Sequence, residues 1–230
     1  SLAGDAITTG GYNTALGYAA LGASILPSFN TAIGNASLAS NVHGHKNTAV
    51  GQATLAVMAP TGSADTHNTA VGFHAGTAVT TGTQNTIVGS LAGDALTTGG
   101  NNVAIGYKAL STEDTGYGSV AIGTYALEDQ DAGNAYNTAV GHETGRDITS
   151  GLYNTLIGAY SGDALTTGGN NTAVGYQALS AEDGNGNNTA IGYQTLNAQN
   201  AGADAYNVAV GHQAGLLVST GVRNTLIGSL

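Results

Sequence analysis

The chain has 230 residues, of which 41% are apolar and 8% charged, with 37 Gly, 2 Pro and no Cys. Fourteen acidic residues against four basic ones leave a net charge of -10. No disulfide framework or thiolate metal site is possible, and the scattered Lys46, Lys108, Arg146 and Arg223 cannot form the basic patch that nucleic acid requires.

Read from the N-terminus, the chain repeats one phrase, Asn-Thr-Ala-(Val/Ile/Leu)-Gly. Its Asn falls at Asn13, Asn30, Asn47, Asn68, Asn85, Asn102, Asn137, Asn154, Asn171, Asn188, Asn207 and Asn224. Ser119 takes the Asn place in one further copy. The spacing is most often 17 residues and reaches 21 between Asn47 and Asn68. A short fixed period held from end to end means a repeat architecture rather than a domain built around a pocket. The 37 Gly do not follow the every-third spacing of collagen, and no apolar run reaches the length of a membrane-spanning helix.

Each phrase alternates as a strand does, and Thr, Val and Ile suit a pleated backbone. Recurrent Gly and following turn residues oppose helix. The spacing predicts an all-β parallel solenoid of about thirteen coils, each of roughly 17 residues. The fourth motif position is aliphatic throughout: Leu16, Ile33, Val50, Val71, Val88, Ile105, Ile122, Val140, Ile157, Val174, Ile191, Val210 and Ile227. These residues are expected to stack as the inward core ladder. The motif Asn residues are expected to form a second ladder at a coil corner, bonding above and below or holding the turn.

The residue eight positions after the motif Asn divides the coils into two types. It is Leu at Leu21, Leu38, Leu55, Leu110, Leu127, Leu179 and Leu196, and Gly at Gly76, Gly93, Gly145, Gly162 and Gly215. In the Gly coils an aliphatic appears three residues on, at Val79, Leu96, Ile148, Leu165 and Val218, and is expected to replace the missing Leu. From about residue 68 the two types alternate in pairs, which makes a four-coil super-repeat. Gly93 to Asn102 and Gly162 to Asn171 are nearly identical. Residues 1–230 read as one solenoid segment of a longer chain.

The third motif position, mostly Ala, and the motif Gly are expected to face away from the aliphatic ladder. That stripe reads as a seam for close approach of identical chains, and a thin rod gains by burying one face against a partner. At Asn101-Asn102-Val103-Ala104-Ile105-Gly106, Gly118-Ser119-Val120-Ala121-Ile122-Gly123 and Asn170-Asn171-Thr172-Ala173-Val174-Gly175, the chain resembles the YadA-like head repeats of trimeric autotransporter adhesins and related phage and bacterial tail-fibre repeat proteins. The resemblance runs coil by coil over the whole chain. It implies a left-handed parallel β-roll and a side-by-side homotrimer. The repeat here is slightly longer than in the adhesin heads, and Thr commonly replaces an expected Val.

His43-Gly44-His45 places two imidazoles on one side of an extended segment and makes His43 and His45 the candidate metal ligands, though an exposed polar loop explains them as well. Tyr18, Tyr107, Tyr176 and Tyr193 follow the motif Gly, where aromatics can meet sugar rings or cover a coil edge. The acidic pairs Glu113-Asp114, Glu128-Asp129 and Glu182-Asp183 read as solvated loops. No residues assemble into a catalytic set, and nothing calls for a cofactor.

The reading is therefore a non-catalytic structural or adhesive segment of an extracellular, cell-surface or virion fibre. It is expected to self-associate as a trimer and to meet a cell-surface glycan or protein receptor, without nucleic-acid binding or membrane insertion. The insertions at 56–67 and 198–206 are the expected recognition loops. A self-assembling cell-surface filament and an ice-binding solenoid are the alternatives. For ice binding the motif Thr must face outward, whereas its place two residues before the presumed core ladder, on the same side of the strand, predicts that it faces inward.

Overall fold

The computed structural model describes residues 2–230, which form two compact units that divide between residues 117 and 118. The first unit contains β1 (Thr14–Leu16), β2 (Thr31–Ile33), β3 (Gly44–His45), β4 (Thr48–Val50), β5 (Ala64–Asp65), β6 (Thr69–Val71), β7 (Thr86–Val88) and β8 (Val103–Ile105). The second contains β9 (Val120–Ile122), β10 (Thr138–Val140), β11 (Thr155–Ile157), β12 (Thr172–Val174), β13 (Thr189–Ile191), β14 (Val208–Val210) and β15 (Thr225–Ile227). No helix occurs among the described residues.

Every motif supplies one strand, and successive motifs pair in parallel within each unit. The register is motif on motif: Thr31 opposes Thr48, Ala32 opposes Ala49 and Ile33 opposes Val50. In the second unit Thr172, Ala173 and Val174 oppose Thr189, Ala190 and Ile191. The 21-residue spacing after Asn47 leaves this register intact, because Thr48 still meets Thr69. The extra residues fold separately, with β5 pairing parallel to β3. The architecture is a parallel β-solenoid of about thirteen turns, as the period predicts.

Which side of the strand faces inward is the reverse of the expectation. The third-position residues are fully buried: Ala32, Ala49, Ala70, Ile87 and Ala104 in the first unit, and Ala121, Ala139, Leu156, Ala173, Ala190 and Ala209 in the second. The fourth-position aliphatics are turned out. Leu16, Val71, Ile157, Ile191 and Ile227 are exposed, while Ile33, Val50, Val88, Ile105, Ile122, Val140, Val174 and Val210 are half-buried. The motif Thr stands outward beside them, half-buried or exposed.

The reason is the width of the coil. Leu21, Leu38, Leu55, Leu110, Leu127, Leu179 and Leu196 reach in from the other wall and are all buried. A second large aliphatic opposite them would overfill the interior, so the strand presents Ala there. A strand's side chains have a period of two, so choosing the wrong face of the motif inverts every assignment together. The Ala row of the expected seam is therefore interior and has no surface to offer another chain, while the motif Gly beside it is half-buried.

The same volume argument explains the Gly coils. Val79, Leu96, Ile148 and Leu165 are fully buried, as expected for replacements of the missing Leu, and Val218 is half-buried. They have help from the third position. A Cβ added at Gly76 would lie 2.8 Å from Ile87 Cδ1, and one at Gly145 2.8 Å from Leu156 Cδ1. A Cβ at Gly162 would lie 3.0 Å from Leu156 Cδ2. One large third-position residue thus fills the space of two adjacent Gly coils.

This exchange predicts a coupled pair. Leu is compatible with the backbone at Gly76, since Leu55 holds φ 50° at the equivalent position and Gly76 has φ 58°. Gly76→Leu should nevertheless cost about 2 kcal/mol by overpacking against Ile87, and Ile87→Ala alone about 3 kcal/mol by cavity formation. The double variant should cost at least about 1 kcal/mol less than their sum. A urea-denaturation cycle measures this coupling, and simple additivity would reject the exchange.

Candidate functional site

The motif Asn side chains form hydrogen-bonded ladders in both units. In the first, Asn13 Oδ1 accepts from the Asn30 N–H at 3.0 Å, and Asn30 Oδ1 from Asn47 at 2.8 Å. The chain of bonds continues through Asn68, Asn85 and Asn102. In the second unit Asn137, Asn154, Asn171, Asn188 and Asn207 each accept from the next motif Asn, ending at Asn224. In most coils Nδ2 also donates to the carbonyl fourteen residues on, as Asn154 does to Gly168 at 2.9 Å. Each side chain therefore closes its own coil while it holds the next. Burial without these partners would cost about 1–3 kcal/mol per Asn.

The position eleven residues after the motif Asn is also inward, and its chemistry follows the coil type. It is aliphatic in Gly coils. In Leu coils it is Ser24, Asn41, Met58, Glu113, Gln130, Glu182 or Gln199, all buried. Gln130 Oε1 and Gln199 Oε1 accept from Asn137 Nδ2 at 2.8 Å and Asn207 Nδ2 at 2.9 Å. This corrects the reading of Glu113-Asp114 and Glu182-Asp183 as solvated pairs. Asp114 and Asp183 are exposed, but both Glu side chains point into the coil. Burial raises the Glu182 pKa above the ordinary carboxylate range. The signal was present in the repeat, because these Glu residues stand in register with Val79 and Leu96.

Of the candidate metal ligands His43 and His45, His45 is held between neighbouring coils through its ring nitrogens. The His45 Nδ1 accepts from the Ser28 N–H at 2.9 Å and its Nε2 lies 2.7 Å from Ser63 Oγ. Both nitrogens are committed to neighbouring coils. Lys46 Nζ lies 2.6 Å from Asp65 and holds that carboxyl below its ordinary range. The insertion at 56–67 is thus tied down by β5 and by these two contacts.

Two outward features remain. The first is the sheet face itself, with its rows of Thr and aliphatic side chains. The second is a run of rings in the second unit. Tyr176 and Tyr193 stack at a 5.5 Å centroid distance, Tyr193 stacks on His212 at 5.2 Å, and Tyr160 meets Tyr176 edge-on at 6.0 Å. His142 meets Tyr160 at 5.3 Å. Beside it, Gln213 donates to Gln194, and Gln194 to Gln177. Where these rings stack face to face they cover each other, which leaves edges rather than open platforms for a sugar.

No family model, curated protein or solved structure matches the chain.

The geometry carries repetition rather than convergence. Polar groups are distributed along ladders, and two open pockets lie at the last coil, around Leu226 and Leu230.

Proposed function

We propose that the chain is a non-catalytic segment of an extracellular or virion fibre that associates side by side with identical chains and presents its loops to a host or neighbouring surface. The outward sheet face carries this reading. In each unit it sets an unbroken row of Val, Ile or Leu beside a row that is mostly Thr, with Val in its place at Val103, Val120 and Val208, and Val71, Ile157 and Ile191 are 37%, 40% and 39% exposed. A row of aliphatics repeated on every strand is surface that a partner copy can cover. A left-handed roll and three copies around one axis are what the resemblance to adhesin and tail-fibre repeats implies. The seam in this proposal is the Thr-aliphatic face, not the Ala-Gly stripe. The receptor is a surface glycan or protein reached by the coil-edge loops.

The test is the mass of the assembly in solution, measured by light scattering. The expected result is a trimer. Val174→Asp combined with Ile191→Asp should give monomers with an unchanged β-rich circular dichroism spectrum. A monomeric unaltered chain would reject the fibre reading.

One observation favours a second reading. The motif Thr faces outward, so Thr138, Thr155, Thr172 and Thr189 form a regular row on successive strands of the second unit. Such a row on a flat sheet is the surface an ice-binding solenoid requires. Thermal hysteresis that disappears in Thr172→Tyr would support it over the fibre.

A further inference from the structure

Fourteen residues after the motif Asn, most coils carry Gly, as at Gly151 and Gly168. At Gly82, Gly99, Gly151 and Gly168 the next coil's backbone requires it. A Cβ at Gly151 would lie 2.3 Å from the Gly168 carbonyl oxygen, and one at Gly168 2.2 Å from that of Asn185. Asn185 breaks this pattern and is itself followed by Gly186. The coil after it is longer, with 19 residues from Asn188 to Asn207, and its inserted loop brings Asp204 to this point.

Asn185 is 4% exposed and has a specific set of partners. Its Nδ2 donates to Oε1 of the buried Glu182, and its backbone N–H lies 3.2 Å from the same oxygen. Its carbonyl accepts from Asn171 Nδ2 at 3.1 Å. The N–H of Gly186 points at Asp204 Oδ1, 3.1 Å away. The side-chain amide nitrogen of Asn185 thus faces one carboxyl, and the backbone N–H that follows it in the chain faces a second.

We infer that Asn185-Gly186 is a self-modifying site, at which the folded chain closes a succinimide ring between the Asn185 side chain and the Gly186 nitrogen. Asp204 takes the Gly186 amide proton, and that nitrogen forms a bond to Asn185 Cγ. The Cγ–Nδ2 bond breaks, and Glu182 protonates the departing nitrogen, which leaves as ammonia. Asp204, which is exposed, passes its proton to solvent, and Glu182 is reprotonated in turn. No oxidant or other reactant is consumed. The raised pKa of Glu182 favours the protonated form that a general acid needs. Gly186 has no side chain to obstruct ring closure, and holding Asn185 on Glu182 and the Gly186 N–H on Asp204 positions both proton-transfer groups in advance. The buried setting keeps water from opening the ring, so the imide fixes the backbone at this coil corner. The equivalent position one super-repeat earlier is Gly116, which has no side chain to cyclise.

The ordinary effect of a rigid fold on an Asn-Gly pair is protection, so the decisive comparison is between folded and unfolded chain. The folded chain, followed by intact mass spectrometry, should become lighter by one ammonia, about 17 Da. Fragmentation should place the loss at residues 185–186, and hydroxylamine should cleave there. Chain held in urea should react more slowly. Glu182→Gln and Asp204→Asn should each slow the folded reaction by about tenfold or more while melting normally. Gly186→Ala should stop it. Two results would overturn the inference: Asn185 intact in the folded chain after it has reacted in urea, or an unchanged rate in both carboxylate variants.

Discussion

Ala121→Asp should unfold the coils around it, whereas Ile122→Asp, one residue along, should leave them folded. Ala121 is fully buried, and in β9 it lies opposite Ala139 of β10. A carboxylate there meets an interior sized for a methyl group, with no cation to pair with. The penalty combines overpacking with an isolated buried charge and should reach about 3–5 kcal/mol. That is a large share of the stability of a domain this size. Ile122 faces outward and is half-buried, so its carboxylate stays hydrated and should cost about 1 kcal/mol in the isolated chain. Thermal melting followed by circular dichroism separates the two. If Ile122→Asp unfolds the chain and Ala121→Asp does not, the assignment of faces is wrong. The pair also separates folding from association, since in the proposed fibre Ile122→Asp acts on the seam alone.

The architecture was legible because register is encoded by recurrence. Thirteen copies of one motif force strand upon strand, and no tertiary subtlety competes with that. The inward face was not legible by the same route. Hydrophobicity ranks Ile above Ala for the interior, but that ranking ignores what enters from the opposite wall. The Leu eight residues after each motif Asn occupies the coil interior, and the Gly coils carried the clue. Where that Leu becomes Gly, the third position enlarges to Ile87 or Leu156, which is meaningful only if both side chains share one space. The motif Asn was readable as a corner residue, although its main partners proved to be backbone groups of its own and the next coil.

The candidate sites were less visible. Glu113 and Glu182 look like loop acids beside Asp114 and Asp183, and only coil alignment places them in register with buried aliphatics. The approach of Asp204 to Gly186 spans 18 residues and depends on how an inserted loop folds back. No local signal announces that contact. The outward Thr-aliphatic face became evident only when the strand was turned over, and the fibre proposal moved its seam accordingly.

Gly123→Ala should be as disruptive as a charge in the core, although it adds only a methyl group. The motif Gly has φ 141° at Gly123, and a Cβ there would lie 2.1 Å from the Gly141 carbonyl oxygen and 2.6 Å from its carbon. Both obstacles are backbone atoms of the next coil, so no side chain can move aside. Relief requires separating two coils and breaking the bond from the Gly141 N–H to the Ile122 carbonyl at 2.8 Å. The conformation itself adds to the cost. This fold tolerates left-handed residues other than Gly, among them Leu127 at φ 49° and Tyr153 at φ 60°. Those angles lie in the small left-handed basin open to ordinary residues, whereas φ 141° lies outside it. The expected loss is about 3 kcal/mol or more. Gly133 provides the comparison: it has φ 66° and open space around its missing Cβ, so Gly133→Ala should cost about 1 kcal/mol. Because each coil contacts only its neighbours, the damage should be local. Hydrogen exchange should show protection lost first in β9 and β10, and retained in β12 and β13. Equal melting of the Gly123 and Gly133 variants would mean that adjacent coils are not as close as the stacked motif glycines place them.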